Sequence, residues 1–290
     1  MNSNHQILIE APAKVNLFLH ILAKRHDGYH KIESLIAFTE FSDSISIFLS
    51  DTIELSVSGR MSSLVTADDS NIVIEAAKLL KEKFSISSGA SIFLKKQLPV
   101  SAGLGGGSSD AAATLLGLIN LWKINISTQE LIGLICESGL GADVPVCLIK
   151  KPALVKGIGE KIEPLGSFSS FPILLINPGV PISTKEIFSR IAVPDKCPVW
   201  KVNRPTIESL NLCRNDLQSE AIKTVPIIKN ILFNLSKMQG CLLSRVSGSG
   251  PTCYGLFDSE ENLRIAAKKF MNHDDWWVMP TRLRGIKAIK

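Results

Sequence analysis

Residues 98–113 read Leu98-Pro99-Val100-Ser101-Ala102-Gly103-Leu104-Gly105-Gly106-Gly107-Ser108-Ser109-Asp110-Ala111-Ala112-Ala113. The glycines at 103, 105, 106 and 107 remove side chains and permit positive φ, so backbone N–H groups are able to converge on an anion. Ser108 and Ser109 add hydroxyl donors, and either is suited to cap a helix. The alanine run at 111–113 predicts that helix over Ala111–Trp122, with its free N–H groups and dipole pointing back at the loop. Two familiar phosphate loops are excluded. A P-loop needs Lys and then Ser or Thr after its last glycine, whereas Ser108 follows Gly107 directly. A dinucleotide loop needs a third glycine where Ser108 stands. A glycine-rich linker is the plain alternative, but a linker has no reason to run straight into an alanine-rich helix.

Upstream of the loop, Ile7–Glu10 and Lys14–Ile21 read as strands. Ser44–Leu49 and Ile53–Ser58 alternate with period two around a polar turn and predict a hairpin. A helix is predicted over Ser70–Phe84, capped by Ser70 or Asn71, and a strand over Ala90–Lys95. Downstream, a capping box from Ser127 to Glu130 starts a helix that ends near Gly139. Residues 151–172 read as connection and strand, Ile173–Asn177 as strand and Thr184–Ile191 as helix. Residues 192–206 read as irregular loop, followed by helices near 206–223 and 225–238. Strands at Leu242–Ser247 and Thr252–Phe257 flank Gly248-Ser249-Gly250-Pro251, and a last helix covers Ser259–Phe270. Strands and helices mix without a steady βαβ alternation, which predicts an α+β fold in two domains, 1–155 and 156–290.

Composition narrows the function. Hydrophobic residues at 45% supply a sizeable core, and 32 Lys plus Arg against 27 Asp plus Glu give a net charge of only +5. No basic run gathers that charge on one face, so nucleic acid is not expected as a partner. The six cysteines show no C-x-x-C spacing and read as reduced thiols. Residues 1–6 lack the pattern of a signal peptide, and no apolar run approaches the ~18 residues of a membrane span, so the expectation is a cytoplasmic protein with no membrane partner.

Three further places suit chemistry. Lys14 and Asn16 share one face of an otherwise apolar strand, where each must be solvated or satisfied by a partner. Asp143, in Leu140-Gly141-Ala142-Asp143-Val144-Pro145, is placed to cap a short helix or to take a proton from a hydroxyl. Val246–Thr252 is a second glycine loop, suited to a hairpin turn or to closing on the phosphate site.

Taken together, A-P-A-K-V-N-L at 11–17, the loop at 98–112, L-G-A-D-V-P at 140–145 and G-S-G-P-T at 248–252 resemble the motifs of the GHMP kinases, in order and over most of the chain. The resemblance implies a ribosomal-protein-S5-like N-terminal domain and a ferredoxin-like C-terminal domain. Arg25–His30, Gly157–Glu160 and Asn177–Val180 are similar to the branch that phosphorylates the 2-hydroxyl of 4-diphosphocytidyl-2-C-methyl-D-erythritol with ATP. By that resemblance Pro99–Ser109 holds the ATP phosphates, Asp143 is the catalytic base and Lys14 the catalytic lysine. Asn16 and Thr184 would help to place the substrate, Tyr29, His30 and Phe188 would recognise cytidine, and Asn71 and Lys96 would lie around the adenine. Mg²⁺ is expected with ATP, carried largely by phosphates and water, with no protein metal site. A monomer or weak homodimer is expected. The competing readings are another small-molecule kinase of the family, mevalonate- or homoserine-kinase-like, a nucleotide-binding protein without catalysis, and an RNA binder.

Overall fold

The computed structural model describes residues 6–194, 200 and 204–286. In chain order the elements are β1 (Ile7–Lys24), β2 (His30–Ser50), β3 (Ile53–Ser58), α1 (Ile72–Lys83), β4 (Gly89–Lys95), α2 (Gly106–Leu121), α3 (Thr128–Ser138) and α4 (Val144–Ile149). There follow β5 (Ala153–Gly157), β6 (Lys161–Pro164), β7 (Pro172–Asn177), α5 (Thr184–Arg190), α6 (Ile207–Asn211), α7 (Gln218–Thr224) and α8 (Ile227–Ser236). The chain closes with β8 (Cys241–Val246), β9 (Cys253–Phe257), α9 (Glu260–Phe270) and β10 (Trp277–Arg282). Among the described residues no helix is long and apolar enough to cross a membrane. The reading of 192–206 as loop falls partly on 195–199 and 201–203, outside the described residues.

The chain separates into two compact units that interleave in sequence rather than meeting at one cut near 155. The reason is the length of β1 and β2, which are each shared between the units. Unit 1 takes the chain up to Ala13, Ser42–Val100 and Gly105–Ile149. Its sheet order is β3-β4-β2, with α1 and α2 packed together and both touching the sheet. Here the expected hairpin of Ser44–Leu49 with Ile53–Ser58 is corrected. β4 lies between the two strands, antiparallel to β2 and parallel to β3, and α1 supplies the crossover that a parallel pair requires. Period-two alternation reports a half-buried strand but not its neighbour. The missing side chain of Gly89 allows the approach, since a Cβ there would stand 2.3 Å from the Thr52 backbone.

Unit 2 takes Lys14–Phe41, Ser101–Leu104 and the chain from Lys150 on. One sheet pairs β2 through Ile32–Ile36 with β5, and β5 with β6. The other runs β10-β7-β9-β8, all antiparallel, with α8 against β8 and β9 and α9 against β7 and β10. That order is the ferredoxin-like one. β10 is a strand in the tail that sequence patterning left unassigned: Trp277 and Val278 are buried but the rest of the strand is only half-buried, so no alternation marks it.

The segment of β1 in unit 2 is gripped from several sides. The Arg245 guanidinium and the Tyr254 hydroxyl both donate to the Leu17 carbonyl, at 2.5 and 2.8 Å, and the Asp216 carboxylate accepts from Ile21 N at 2.7 Å. His20, fully buried, stacks on Phe18 at 4.6 Å. Burial pushes its imidazole down to about 4; Asp216 opposes the shift, and Arg214 and Arg245 add to it. An unfolded chain takes up that proton near 6.5, so the contribution of His20 is whole above pH 6.5 and is lost as pH falls toward about 4. The loss should amount to roughly 2–3 kcal/mol. Urea unfolding at pH 7 and pH 4.5 checks this: His20→Gln should lose less stability across the window than the unaltered chain, and equal losses would remove His20 from the account.

Candidate active site

In unit 1 the phosphate-loop sequence ends in a helix terminus without a side-chain cap. Gly105 is the N-cap of α2, left-handed at φ +61°, and α2 starts at Gly106 rather than at Ala111. Ser108 and Ser109 therefore lie inside the first turn and do not cap it. The first intrahelical bond runs from Ser109 N to Gly105 O at 2.8 Å, so the N–H groups of Gly106, Gly107 and Ser108 face out of the helix end. No acidic residue stands in that turn to compete with an anion. Ser109 Oγ is buried with no hydrogen-bond partner. Asp143 directly precedes α4 and is half-buried, and its carbonyl accepts from Cys147 N at 3.2 Å. Its segment lies against the same helix end: a Cβ on Gly141 would stand 3.9 Å from Ser108 Oγ.

Asn71 and Lys96 also belong to unit 1, and their polar atoms are engaged within the protein. Asn71 caps α1, accepting from Val73 N at 2.9 Å and donating to Thr66 O at 2.5 Å. Lys96 is 2% exposed, and its ammonium bonds both Asp43, at 2.7 Å, and Asp110. Burial raises Asp110 above the usual carboxylate range against the pull of Lys96. A helix end and a loop carbonyl thus engage Asn71, and two carboxylates engage Lys96.

In unit 2 the tip of the loop, Ser101–Leu104, is tied down through its carbonyls. Thr252 N donates to Ala102 O at 3.3 Å, Ser247 Oγ to Gly103 O at 2.8 Å, and Lys14 N to Leu104 O at 2.8 Å. The second glycine loop and the Lys14 strand thus hold the first glycine loop by its backbone. Gly103, at φ +72°, makes this approach feasible, since a Cβ there would stand 2.2 Å from Ser247 O. The same strand carries a buried polar relay. Lys14 Nζ donates to Asn16 Oδ1 at 2.9 Å, Asn16 Nδ2 to Ser34 Oγ at 2.8 Å, and Ser34 Oγ to Phe18 O at 2.6 Å. Lys14 is only 4% exposed, and this relay holds Asn16 Oδ1 as one partner of its ammonium.

The other sequence-predicted residues also lie in unit 2. His30 and Phe188 are brought together, with ring centroids 5.6 Å apart and planes tilted by 43°. His30 Nε2 is buried without a partner, and burial with the nearby Lys24 charge lowers its pKa. Phe188 is half-buried and rests one side on the core of unit 2. Tyr29 is 61% exposed at the β1–β2 turn, where its N–H donates to Asp27 Oδ1. Thr184 Oγ1 bonds Ser249 Oγ at 2.8 Å, which ties α5 to the second glycine loop.

The model of the GHMP kinases N terminal domain matches residues 71–151, and that of the GHMP kinases C terminal region matches 206–273. A 4-diphosphocytidyl-2-C-methyl-D-erythritol kinase of Chelativorans sp. (strain BNC1) is 41% identical over 285 residues, 95% of each chain. That of Paramagnetospirillum magneticum is 41% identical over 95% of this chain and 98% of its own. The chain belongs to this kinase family. A crystal structure of 4-(cytidine 5'-diphospho)-2C-methyl-D-erythritol kinase aligns with a TM-score of 0.80 at 29% identity, over 96% of this chain and all of the other. A homoserine kinase from Cytophaga hutchinsonii, at 16% identity and a TM-score of 0.71, shares the fold. As a member of the 4-diphosphocytidyl-2-C-methyl-D-erythritol kinase family, the chain has the two-domain α+β architecture of the GHMP kinases, and it is an enzyme rather than a binding module.

Sequence reading did not single out the buried partners Asp43 and Asp110 of Lys96 in unit 1, or Ser34 and Ser247 beside Asn16 in unit 2. For Asp43 a signal existed, since it shares the parity of the buried Ile45 and Ile47. The Gly103 contact is testable by comparison with Gly28, which has φ +87° but nothing within 4 Å of a Cβ. Both Gly→Ala changes carry the left-handed penalty of ~1–2 kcal/mol. Gly103→Ala alone also drives a methyl into a backbone carbonyl, and it should unfold at clearly lower urea than Gly28→Ala. Equal midpoints would show that the loop tip is not held there.

Proposed function

We propose that the chain transfers the γ-phosphoryl of ATP to the 2-hydroxyl of 4-diphosphocytidyl-2-C-methyl-D-erythritol, giving the 2-phosphate and ADP, a step in the non-mevalonate synthesis of isoprenoid precursors. The observation that carries this reading is the uncapped N-terminus of α2 behind Gly105, a backbone anion site where the family's phosphate loop stands. Pro99–Ser109 would hold the ATP phosphates. Asp143 takes the proton of the attacking hydroxyl, and Lys14, set by Asn16, offsets the charge that develops on the phosphoryl group. Mg²⁺ would be carried by the phosphates and water, and it would neutralise the phosphate charge. Asn71 and Lys96 would lie around the adenine.

For the cytidine, the unpartnered Nε2 of His30 would supply a base-edge hydrogen bond, and the half-buried Phe188 a stacking face. Tyr29 is the second stacking candidate, and Thr184 and Asn16 help to place the rest of the substrate. The chain would act on small molecules in the cytoplasm, as a monomer or weak dimer.

The direct test follows ADP release with ATP, Mg²⁺ and 4-diphosphocytidyl-2-C-methyl-D-erythritol, beside homoserine and mevalonate. Turnover should require the cytidine-bearing alcohol, and preference for either other alcohol would overturn the substrate assignment. Asp143→Asn should keep ATP binding and lower kcat by roughly 100- to 10,000-fold. A folded variant with near-normal kcat would remove Asp143 from the chemistry.

Phe188→Ala separates two roles. Stacking predicts a rise of roughly 5- to 150-fold in KM for the cytidine substrate, with KM for ATP unmoved. A core role predicts a large fall in melting temperature and parallel loss for both substrates.

A further inference from the structure

We propose that Asp43, which no motif singles out, is a positioning residue for phosphoryl transfer: its carboxylate fixes the chain where β4 turns into the phosphate loop, and so sets where the loop's N–H groups stand. The proposal rests on the phosphate-loop reading above. β2 and β4 pair from Ser50–Gly89 down to Ser44–Lys95, so Asp43 and Lys96 are the next residues along, just past the last ladder pair. Both fall on the inward parity of their strands, in line with Ile45, Ile47, Ile92 and Leu94, and both are buried. One carboxylate oxygen of Asp43 accepts from the backbone N–H of Gln97 and from that of Leu98, at 2.9 Å in the latter case. The other oxygen holds Lys96 Nζ at 2.7 Å. Lys96 in turn reaches Asp110 in the opening turns of α2, and a Cβ on Gly106 would stand 3.1 Å from its ammonium. A single buried side chain therefore holds the start of the loop by two peptide N–H groups and, through Lys96, the helix end where the loop finishes.

A loop of bare glycines has no side chains to set its own height. Without the two N–H bonds, residues 97 and 98 would leave buried donors unpaired or would shift to find other acceptors. A shift of ~1 Å at the start of the loop displaces its N–H groups by a similar amount, which is enough to lose as much as ~100-fold in a positioned reaction.

Two variants separate the tie from the charge. Asp43→Glu keeps the negative charge that Lys96 requires but moves the acceptor by one methylene. Asp43→Asn loses the charge but keeps an oxygen for Gln97 N and Leu98 N. Calorimetry with ATP, steady-state kinetics with each substrate varied, and a melting curve are measured on the full chain. The expected result in Asp43→Glu is kcat lowered about 10- to 100-fold with weaker binding of ATP, and KM for 4-diphosphocytidyl-2-C-methyl-D-erythritol unmoved. In Asp43→Asn, ATP affinity should stay within about threefold. An Asn variant that binds ATP more weakly than the Glu variant, or a folded Glu variant that loses nothing or loses both substrates in parallel, overturns the proposal. Should Asp43→Glu not fold, Asp43→Asn carries the test alone, and a tenfold loss of ATP there overturns it. An unaltered chain that binds no ATP overturns the phosphate-loop reading itself, a result distinct from failure of the Asp43 tie.

Discussion

A site that offers bare backbone N–H groups to an anion has to be held in shape by something other than its own side chains. Between Ala102 and Gly107 only Leu104 carries a side chain larger than a methyl group, and Leu104 is fully buried. The loop's position is therefore set from outside. In unit 2 its tip is held by three donors, Lys14 N, Ser247 Oγ and Thr252 N, on three successive carbonyls. In unit 1 its start is held at two successive N–H groups by Asp43. The two ties are complementary: carbonyls are used at the tip, which leaves N–H groups free there, and the N–H groups that are used lie before the glycines begin.

The same constraint accounts for the buried polar residues. Lys14, Asn16, Ser34, Asp43, Lys96, Asp110 and Ser247 are all buried in strands, a helix or a loop that would otherwise read as core. Each would be expensive alone, and the hydrogen bonds between them make them tolerable. Lys14 illustrates the link to chemistry. Its ammonium donates to Asn16, Asn16 to Ser34, and Ser34 to the Phe18 carbonyl of the same strand. A lysine held in this way would lose little freedom on meeting a phosphoryl group, the role proposed for it above.

Much of this was legible in residues alone. The glycine loop running into alanines announced a helix, and the capping box at Ser127 and Glu130 formed as read. The α+β class followed from the mixed order of strands and helices. Partner choice was not legible: Ser44–Leu49 and Ile53–Ser58 alternate equally well whether they pair with each other or with a strand that arrives later, and β4 took the place between them. The start of α2 was misjudged because glycines 106 and 107 are poor helix formers by propensity, whereas an anion-binding helix end needs them bare. The helix end that engages Asn71 and the two carboxylates that engage Lys96 were not legible in the sequence, because each partner pair is set by folding rather than by spacing. Asp43 was invisible to motif reading, although its parity with Ile45 and Ile47 put a charge on a core face, a conflict that a strict alternation count would have raised.

The account stands on the loop binding phosphate through bare backbone at the α2 terminus, and calorimetric titration of ATP into the unaltered chain and into Gly106→Val tests that most directly. A branched side chain on the first turn of α2 blocks close approach to the N–H groups. ATP affinity should fall more than about tenfold in the variant, while affinity for the cytidine substrate holds. Unchanged ATP affinity in a folded Gly106→Val chain would contradict the account.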